Sequence, residues 1–327
     1  MTTPTPFRII ILGAGPAGLA AALALKNSNT TPIELTLLEQ RASDASALGG
    51  AVNLTPLALR YLDSLGVGAR LRARGRGVSA IELVSHRTGY LIARLWPGAD
   101  GVRVLRQDLV ECMREVASEA GIEIVYGART SSIKERNDGI EVEYATSEGP
   151  TTVLAHMVVG ADGIHSQARG LVDPERKIAY SGKCVAMGYA SATEAVRADG
   201  APLITDTSLV SRGSHSLLLS YYTPSNESMY LAAVMPVPEV PADETGSTRA
   251  GWAVRDADKD GVRSFVRDMF AGGALGPQLS TILELCAEWR FFPVYSLPPG
   301  GKWSSAGGRI LLIGDAAHAV GIPLGQC

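Results

Sequence analysis

The sequence has few cysteines, no excess of one charge and no long apolar run, and each shortage excludes a class of protein. Its four cysteines, Cys112, Cys184, Cys286 and Cys327, lie far apart and form no CxxC pair. That spacing argues against a disulfide framework or a thiolate metal cluster, and fits a reduced intracellular chain with no structural metal. Lys plus Arg number 30 against 33 for Asp plus Glu, a net charge of −3, so no basic field points to nucleic acid. No apolar run approaches the roughly 18 residues of a membrane span. The polar start Met1-Thr2-Thr3-Pro4-Thr5-Pro6 lacks the charged and apolar regions of a signal peptide, so the expected location is cytoplasmic. Internal repeats and low-complexity tracts are also missing. With 327 residues the chain can bury a large core and is expected to divide into two domains.

Glycine is plentiful, and three glycine-bearing segments carry the chemistry. The first, Gly13-Ala14-Gly15-Pro16-Ala17-Gly18, follows the apolar run Phe7 to Leu12 and precedes the Ala- and Leu-rich stretch Leu19 to Lys26. A buried parallel strand, a tight turn and a helix are the expected reading. Such a turn lets the backbone approach a pyrophosphate, which rests on the N–H groups and positive end of the helix. A second strand, Ile33 to Leu38, ends at Glu39, the position at which an acid meets a ribose hydroxyl; Gln40 and Arg41 follow at the same strand end. The second segment is Val158 to Arg169, VVGADGIHSQAR, and the third is Ile310 to His318, ILLIGDAAH.

Together these segments resemble the flavin-dependent aromatic hydroxylases, the p-hydroxybenzoate hydroxylase and salicylate hydroxylase group. That resemblance implies an α/β fold: a Rossmann-like FAD-binding domain with a parallel sheet, plus an antiparallel β-sheet substrate domain. It implies FAD as resident cofactor, held by Gly13, Ala14, Gly15, Pro16, Ala17, Gly18, Glu39, Gln40, Arg41, Asp162, Gly314 and Asp315. Arg106, in Leu105-Arg106-Gln107-Asp108-Leu109, matches the family's Arg-x-x-Leu, and Gly49, Gly50 and Ala51 match the segment beside the flavin ring. In the family, transient NADPH or NADH reduces the flavin, and O2 then yields a flavin hydroperoxide that hydroxylates an electron-rich aromatic carbon. No second GxGxxG follows a strand here, consistent with a coenzyme that docks briefly. The expected partner is a small aromatic or polyketide-like molecule, with the protein a monomer or homodimer.

The expected FAD-binding domain comprises residues 1–78, 102–178 and 288–327, and the substrate domain 79–101 and 179–287. Ser79 to Leu95 reads as two short strands, Asp108 to Ala120 as a helix, and Tyr180 to Pro236 as an antiparallel sheet. The stretch from Pro236 to Gly251 reads as an exposed loop, Val262 to Phe270 as a helix, and Trp289 to Tyr295 as the return to the FAD domain.

Catalytic candidates are fewer. Where salicylate hydroxylase-like members have arginine, this chain has Met187. A flexible thioether replaces a cationic fork, which favours a neutral, more apolar substrate. Tyr221 and Tyr222 are candidates for orienting a phenolic oxygen, or are half-buried strand aromatics. His318 and His165 read as structural. Arg70, Arg72, Arg74 and Arg76 form a basic cluster, either a docking surface for nicotinamide phosphates or arginines at a helix's negative end. No residue set reads as a metal site.

The resemblance places Gly325 in the glycine turn after the third segment, where Cys327 stands in place of the usual last glycine and the chain ends before the family's next helix. A chain so shortened is expected to hold the isoalloxazine less firmly. Two alternatives stay open: another flavin oxidation on this scaffold, such as epoxidation or Baeyer–Villiger chemistry, and a non-redox relative acting as a binding protein or cofactor-independent catalyst.

Overall fold

The structure is a computed structural model describing residues 6–321 apart from 29–31, 43–48, 97, 99, 192–193, 226 and 245. Gly325 and the turn around it lie outside the described residues.

A five-stranded parallel sheet runs in the order Ile310–Leu312, Met157–Gly160, Phe7–Leu12, Ile33–Glu39 and Glu123–Tyr126. Ile9 to Leu12 at its centre are buried on both faces, which is why that stretch lacks polar alternation. Ile9 and Ile11 pack beneath the helices Pro16–Asn27 and Arg106–Glu119, while Ile10 and Leu12 pack against an antiparallel three-stranded sheet spanning Arg129–Glu135, Ile140–Thr146 and Gly149–Ala155. A second small sheet joins Ala51–Leu54, Gly101–Leu105 and Arg76–Val78.

The remaining sheet has seven strands, ordered Trp289–Ser296, Ala179–Ser191, Ser228–Pro236, His215–Tyr221, Thr207–Arg212, Ile81–Ser85 and Leu91–Leu95. Every pairing is antiparallel except Thr207–Arg212 with Ile81–Ser85. One face buries Cys184, Ala186, Leu217, Leu219, Leu231 and Ala233 under the helices Arg249–Ala257, Lys259–Phe270 and Gly276–Glu284. The opposite face carries Val185, Met187, Leu218, Tyr222, Tyr230, Ala232 and Val234, packed with Ala51.

Two boundaries differ from the sequence reading. Trp289–Ser296 pairs with Ala179–Ser191 as an edge strand of the seven-stranded sheet and does not rejoin the parallel sheet. Its alternating aromatics decide this, because Trp289 and Phe291 bury under the helices. The expected loop before Gly251 already contains the first turn of a helix starting at Arg249, whose Trp252 is buried and donates to the Tyr295 hydroxyl at 3.0 Å.

Candidate active site

The glycine-bearing segments converge because three of the strands that lead into them are neighbours. Leu12, Gly160 and Leu312 end adjacent parallel strands, with Glu39 ending the next, and open α/β sheets bind ligands at that edge. The Ala161 N–H donates to Leu12 O at 2.9 Å, and the Ile313 N–H donates to Gly160 O at 3.0 Å. The turn itself accepts no larger residues at two points. Gly13 has φ +97°, and an added Cβ would sit 2.5 Å from Ala161 O; on Gly18 it would sit 2.0 Å from Gly13 O.

Several features suit FAD here. The helix Pro16–Asn27 begins at Gly15 with no side-chain cap and no acid in its first turn, leaving its first N–H groups and positive end for an anion. Space above Gly15 is open, with nothing within 4 Å of an added Cβ. Asp162 Oδ2 accepts the Gln167 N–H at 2.7 Å, but its buried Oδ1 has no partner among the described residues, and an orphaned buried carboxylate oxygen calls for a donor. Glu39 accepts the Ala14 N–H at 2.9 Å and the Arg41 N–H at 3.0 Å, so its carboxylate is fixed beside the turn. Gln40 and Arg41 are exposed beyond it.

Arg106 starts its helix with its N–H on Gly50 O at 3.0 Å and its side chain against Gly49. Burial lowers its pKa, Arg41 lowers it further, and Asp315 and Glu39 oppose the shift, so four charged groups share one field. Among the described residues its guanidinium has no hydrogen-bond partner. Asp315 follows Gly314, whose φ of +56° turns the chain over Ala17 at the start of the first helix. Two arginines hold that turn. Arg169 donates to Ala316 O at 3.1 Å and to Ile164 O at 2.6 Å, and Arg176 donates to Ala317 O at 2.7 Å.

Facing Gly49 and Gly50, the seven-stranded sheet presents three rows set by its register: Tyr189, Tyr230 and Ser220; Met187, Ala232 and Leu218; Val185, Val234 and Ser216. The Tyr189 hydroxyl donates to Gly49 O at 2.9 Å, and its ring lies 5.3 Å from that of Tyr222 and 5.7 Å from that of Tyr230. The Tyr230 hydroxyl reaches Gly50, 2.1 Å from where a Cβ would stand, and lies 3.9 Å from Met187 Sδ. Burial raises the pKa of Tyr189 and Tyr230, with neighbouring tyrosines adding to the rise, so both hydroxyls stay protonated and act as donors near neutral pH. The hydroxyls of Ser216 and Ser220 are buried and have no partner among the described residues.

Of the sequence candidates, Met187 and Tyr222 line this face, whereas Tyr221 does not. Successive strand residues point to opposite faces, and Tyr221 is buried among the helices' contacts with Arg76 above its ring. Sequence reading missed Tyr189, Tyr230 and Arg103. Alternation alone excludes Tyr221 and Tyr222 facing together, but the pairing of Tyr189 with Tyr230 depends on register. Arg103, 1% exposed, donates to Asn53 Oδ1 at 2.8 Å, Tyr221 O at 2.9 Å and Asp206 Oδ1 at 3.3 Å, and also bonds Thr207 Oγ1. It therefore ties the strand after Ala51 to the substrate-side sheet. Burial pulls its pKa down to about 10 against the opposing pull of Asp206, leaving it charged at neutral pH.

His318 stacks on Trp303 at 5.3 Å and His165 meets Tyr295 edge-on at 6.5 Å. The basic cluster is engaged by carboxylates: Arg70 with Glu115 and Glu119, Arg72 with Asp63, Arg74 with Glu111 and Glu115, and Arg76 with Asp206. Its arginines fasten helices instead of presenting open forks for phosphates. Arg70→Ala and Arg72→Ala are each expected to leave the KM for NADPH and NADH within about twofold of the parent, the scale of lost surface pairs. A larger rise in steady-state assays would return the cluster to coenzyme docking. No group of three or more potential metal ligands occurs among the described residues.

A glycine turn between the first strand and helix, two further strand-end segments beside it and a tyrosine-lined sheet face fit an FAD-dependent flavoprotein of the aromatic hydroxylase class. The chain belongs to the FAD binding domain family, which residues 7–210 match. It is 29% identical over 330 residues to 3-amino-4-hydroxybenzoate 2-monooxygenase PtnB3 of Streptomyces platensis, covering 95% of this chain and 73% of that protein. Identity is also 29%, over 327 residues, with 2-heptyl-3-hydroxy-4(1H)-quinolone synthase of Pseudomonas aeruginosa, covering 97% and 76%. The crystal structure of Klebsiella pneumoniae HpxO complexed with FAD and uric acid has the same fold, with a TM-score of 0.73, 20% identity and coverage of 96% and 74%.

Glu39→Ala is expected to weaken FAD binding by about 1–3 kcal/mol, the scale of losing charge-assisted hydrogen bonds. Unchanged affinity in a fluorescence titration would remove Glu39 from the site.

Proposed function

We propose that this chain is an NAD(P)H-dependent FAD monooxygenase that hydroxylates an aromatic small molecule. The observation carrying this reading is the tyrosine-lined sheet face set directly against Gly49, Gly50 and Ala51, with Arg106 and Asp315 behind them. FAD supplies the O2 activation when bound. The residues divide the remaining work. Gly13, Gly15, Gly18 and the first helix receive the pyrophosphate, Glu39 the adenosine ribose, Asp162 and Asp315 the flavin-side hydroxyls, and Arg106 the flavin itself. Tyr222 and Tyr230 orient a phenolic or enolic oxygen through their hydroxyls, Tyr189 holds the Gly49 carbonyl in place, and Met187 and its apolar neighbours exclude water. In this reading the nucleotide-binding domain resumes after Ser296, and the strand before it belongs to the substrate domain.

Bound yellow flavin, together with NAD(P)H- and O2-dependent incorporation of one oxygen-18 atom into a phenolic probe, tests the proposal. Flavin without oxygen transfer to any of a panel of phenols would favour a different flavin oxidation. A protein that binds no FAD would favour the non-redox alternative.

A further inference from the structure

We infer that Met187 is a site of oxidative modification, where hydrogen peroxide converts the thioether to a sulfoxide whose oxygen the Tyr230 hydroxyl receives. The site does not depend on which molecule the protein hydroxylates. Only the supply of peroxide from the protein's own turnover rests on the monooxygenase reading.

The methionines among the described residues differ in what surrounds them. Met113, Met229 and Met235 are buried in the core clusters. Met157, Met187 and Met269 are partly exposed, and of these Met187 alone, among the described residues, has a hydrogen-bond donor on its sulfur. That donor is the Tyr230 hydroxyl, 3.9 Å from Sδ. Tyr230 is 4% exposed, and the sulfur is the one acceptor its hydroxyl has among the described residues. A thioether accepts weakly, whereas oxidation makes the same side chain polar. A buried hydroxyl with no better partner therefore favours the oxidised form, because it gains an acceptor it lacks.

Peroxide reaches the sulfur from the edge of the sheet. Met187 stands between Ala232 and Arg290 in the strand register. Ala232 is small, and the Arg290 head is drawn to Glu288 at 3.2 Å and to Asp256, on the helix over the other face, at 3.7 Å. In the reaction a sulfur lone pair attacks one peroxide oxygen, so the S–O bond forms as the O–O bond breaks. The departing hydroxide takes the proton left on the transferred oxygen and becomes water; sulfur has given up two electrons and the peroxide has accepted them. Because Tyr230 stands on one side of the sulfur, its two lone pairs are inequivalent, and a single sulfoxide epimer is expected. The product sets a polar, chiral group beside Ala232, among side chains read above as excluding water. A chain that leaks peroxide thus marks itself at this sulfur, and reduction of the sulfoxide restores it.

The test treats the full chain, with FAD present, with limiting hydrogen peroxide labelled with oxygen-18, then locates the label by peptide mass. Met187 is expected to take label roughly tenfold faster than Met157 and Met269. Its sulfoxide should be reduced by only one of the two methionine sulfoxide reductases, A or B, since each reads one epimer. Tyr230→Phe should slow labelling of Met187 about fivefold, the scale of one neutral hydrogen bond, and leave a mixture of epimers. Met269 in the same sample reports whether that variant has kept its fold. Labelling of Met157 or Met269 as fast as Met187, or equal amounts of both epimers in the parent, would overturn the inference. A second arm supplies NADPH and O2 without added peroxide. Oxidation of Met187 that catalase prevents supports both readings; none there, with label still entering from added peroxide, counts against the monooxygenase reading alone. Oxidation that persists under catalase would overturn free peroxide as the oxidant.

Discussion

Asp206→Ala is expected to destabilise the protein by about 3–5 kcal/mol, the cost of leaving a buried charge without its partner. Arg103 is 1% exposed, so its charge relies on the groups packed around it. Asp206 also receives Arg76 at 3.4 Å and the Ser79 N–H at 3.3 Å, so one carboxylate serves two guanidiniums and a backbone donor. Removing it strands the more deeply buried cation. Because Arg103 bridges Asn53 and Tyr221, the loss should also loosen the strand after Ala51 against the tyrosine face. The variant should therefore release more hydrogen peroxide per NADPH oxidised than the parent, as water reaches the ring. Thermal melts and peroxide assays check both. A loss below about 1 kcal/mol would mean that Thr207 and backbone carbonyls alone suffice for Arg103.

Two glycines of one turn should respond oppositely. Gly18→Val places its Cβ 2.0 Å from Gly13 O, and backbone on backbone cannot yield as a side chain would. The expected loss is about 3 kcal/mol or more of stability, with FAD binding falling along with it. Gly15→Ala meets nothing within 4 Å, so stability should stay within about 0.5 kcal/mol. FAD affinity should nevertheless drop, because the methyl group occupies the approach of the pyrophosphate. Parallel melts and FAD titrations separate the two. If Gly15→Ala binds FAD as the parent does, the pyrophosphate lies elsewhere.

The cofactor side was more legible in the sequence than the substrate side, for a physical reason. A pyrophosphate turn is local: strand, glycines and helix follow one another in the chain, and Glu39 ends the very next strand. Their geometry is fixed by backbone constraints that leave a residue pattern. The tyrosine face is not local. Tyr189 meets Tyr230 only through the pairing of two strands, and a one-residue slip would turn either ring away. Tyr221 and Tyr222 looked equivalent because the end of their strand was unknown. The arginine cluster stayed open between two readings for a similar reason, since its carboxylate partners Glu111, Glu115 and Glu119 stand on a helix about forty residues later. Arg103 left no pattern of its own, as its partners come from three separate strands and a loop.

The arginines that hold the turn after Asp315 have a kinetic consequence. Arg169 and Arg176 reach from the segment after Asp162 to the carbonyls of Ala316 and Ala317, so the two segments are fastened to each other by charge-assisted hydrogen bonds. A ligand arriving there meets that turn already fastened. FAD capture should then proceed in a single bimolecular phase whose rate varies little among mutants of the contacting residues, with differences in affinity expressed as differences in how long the flavin stays.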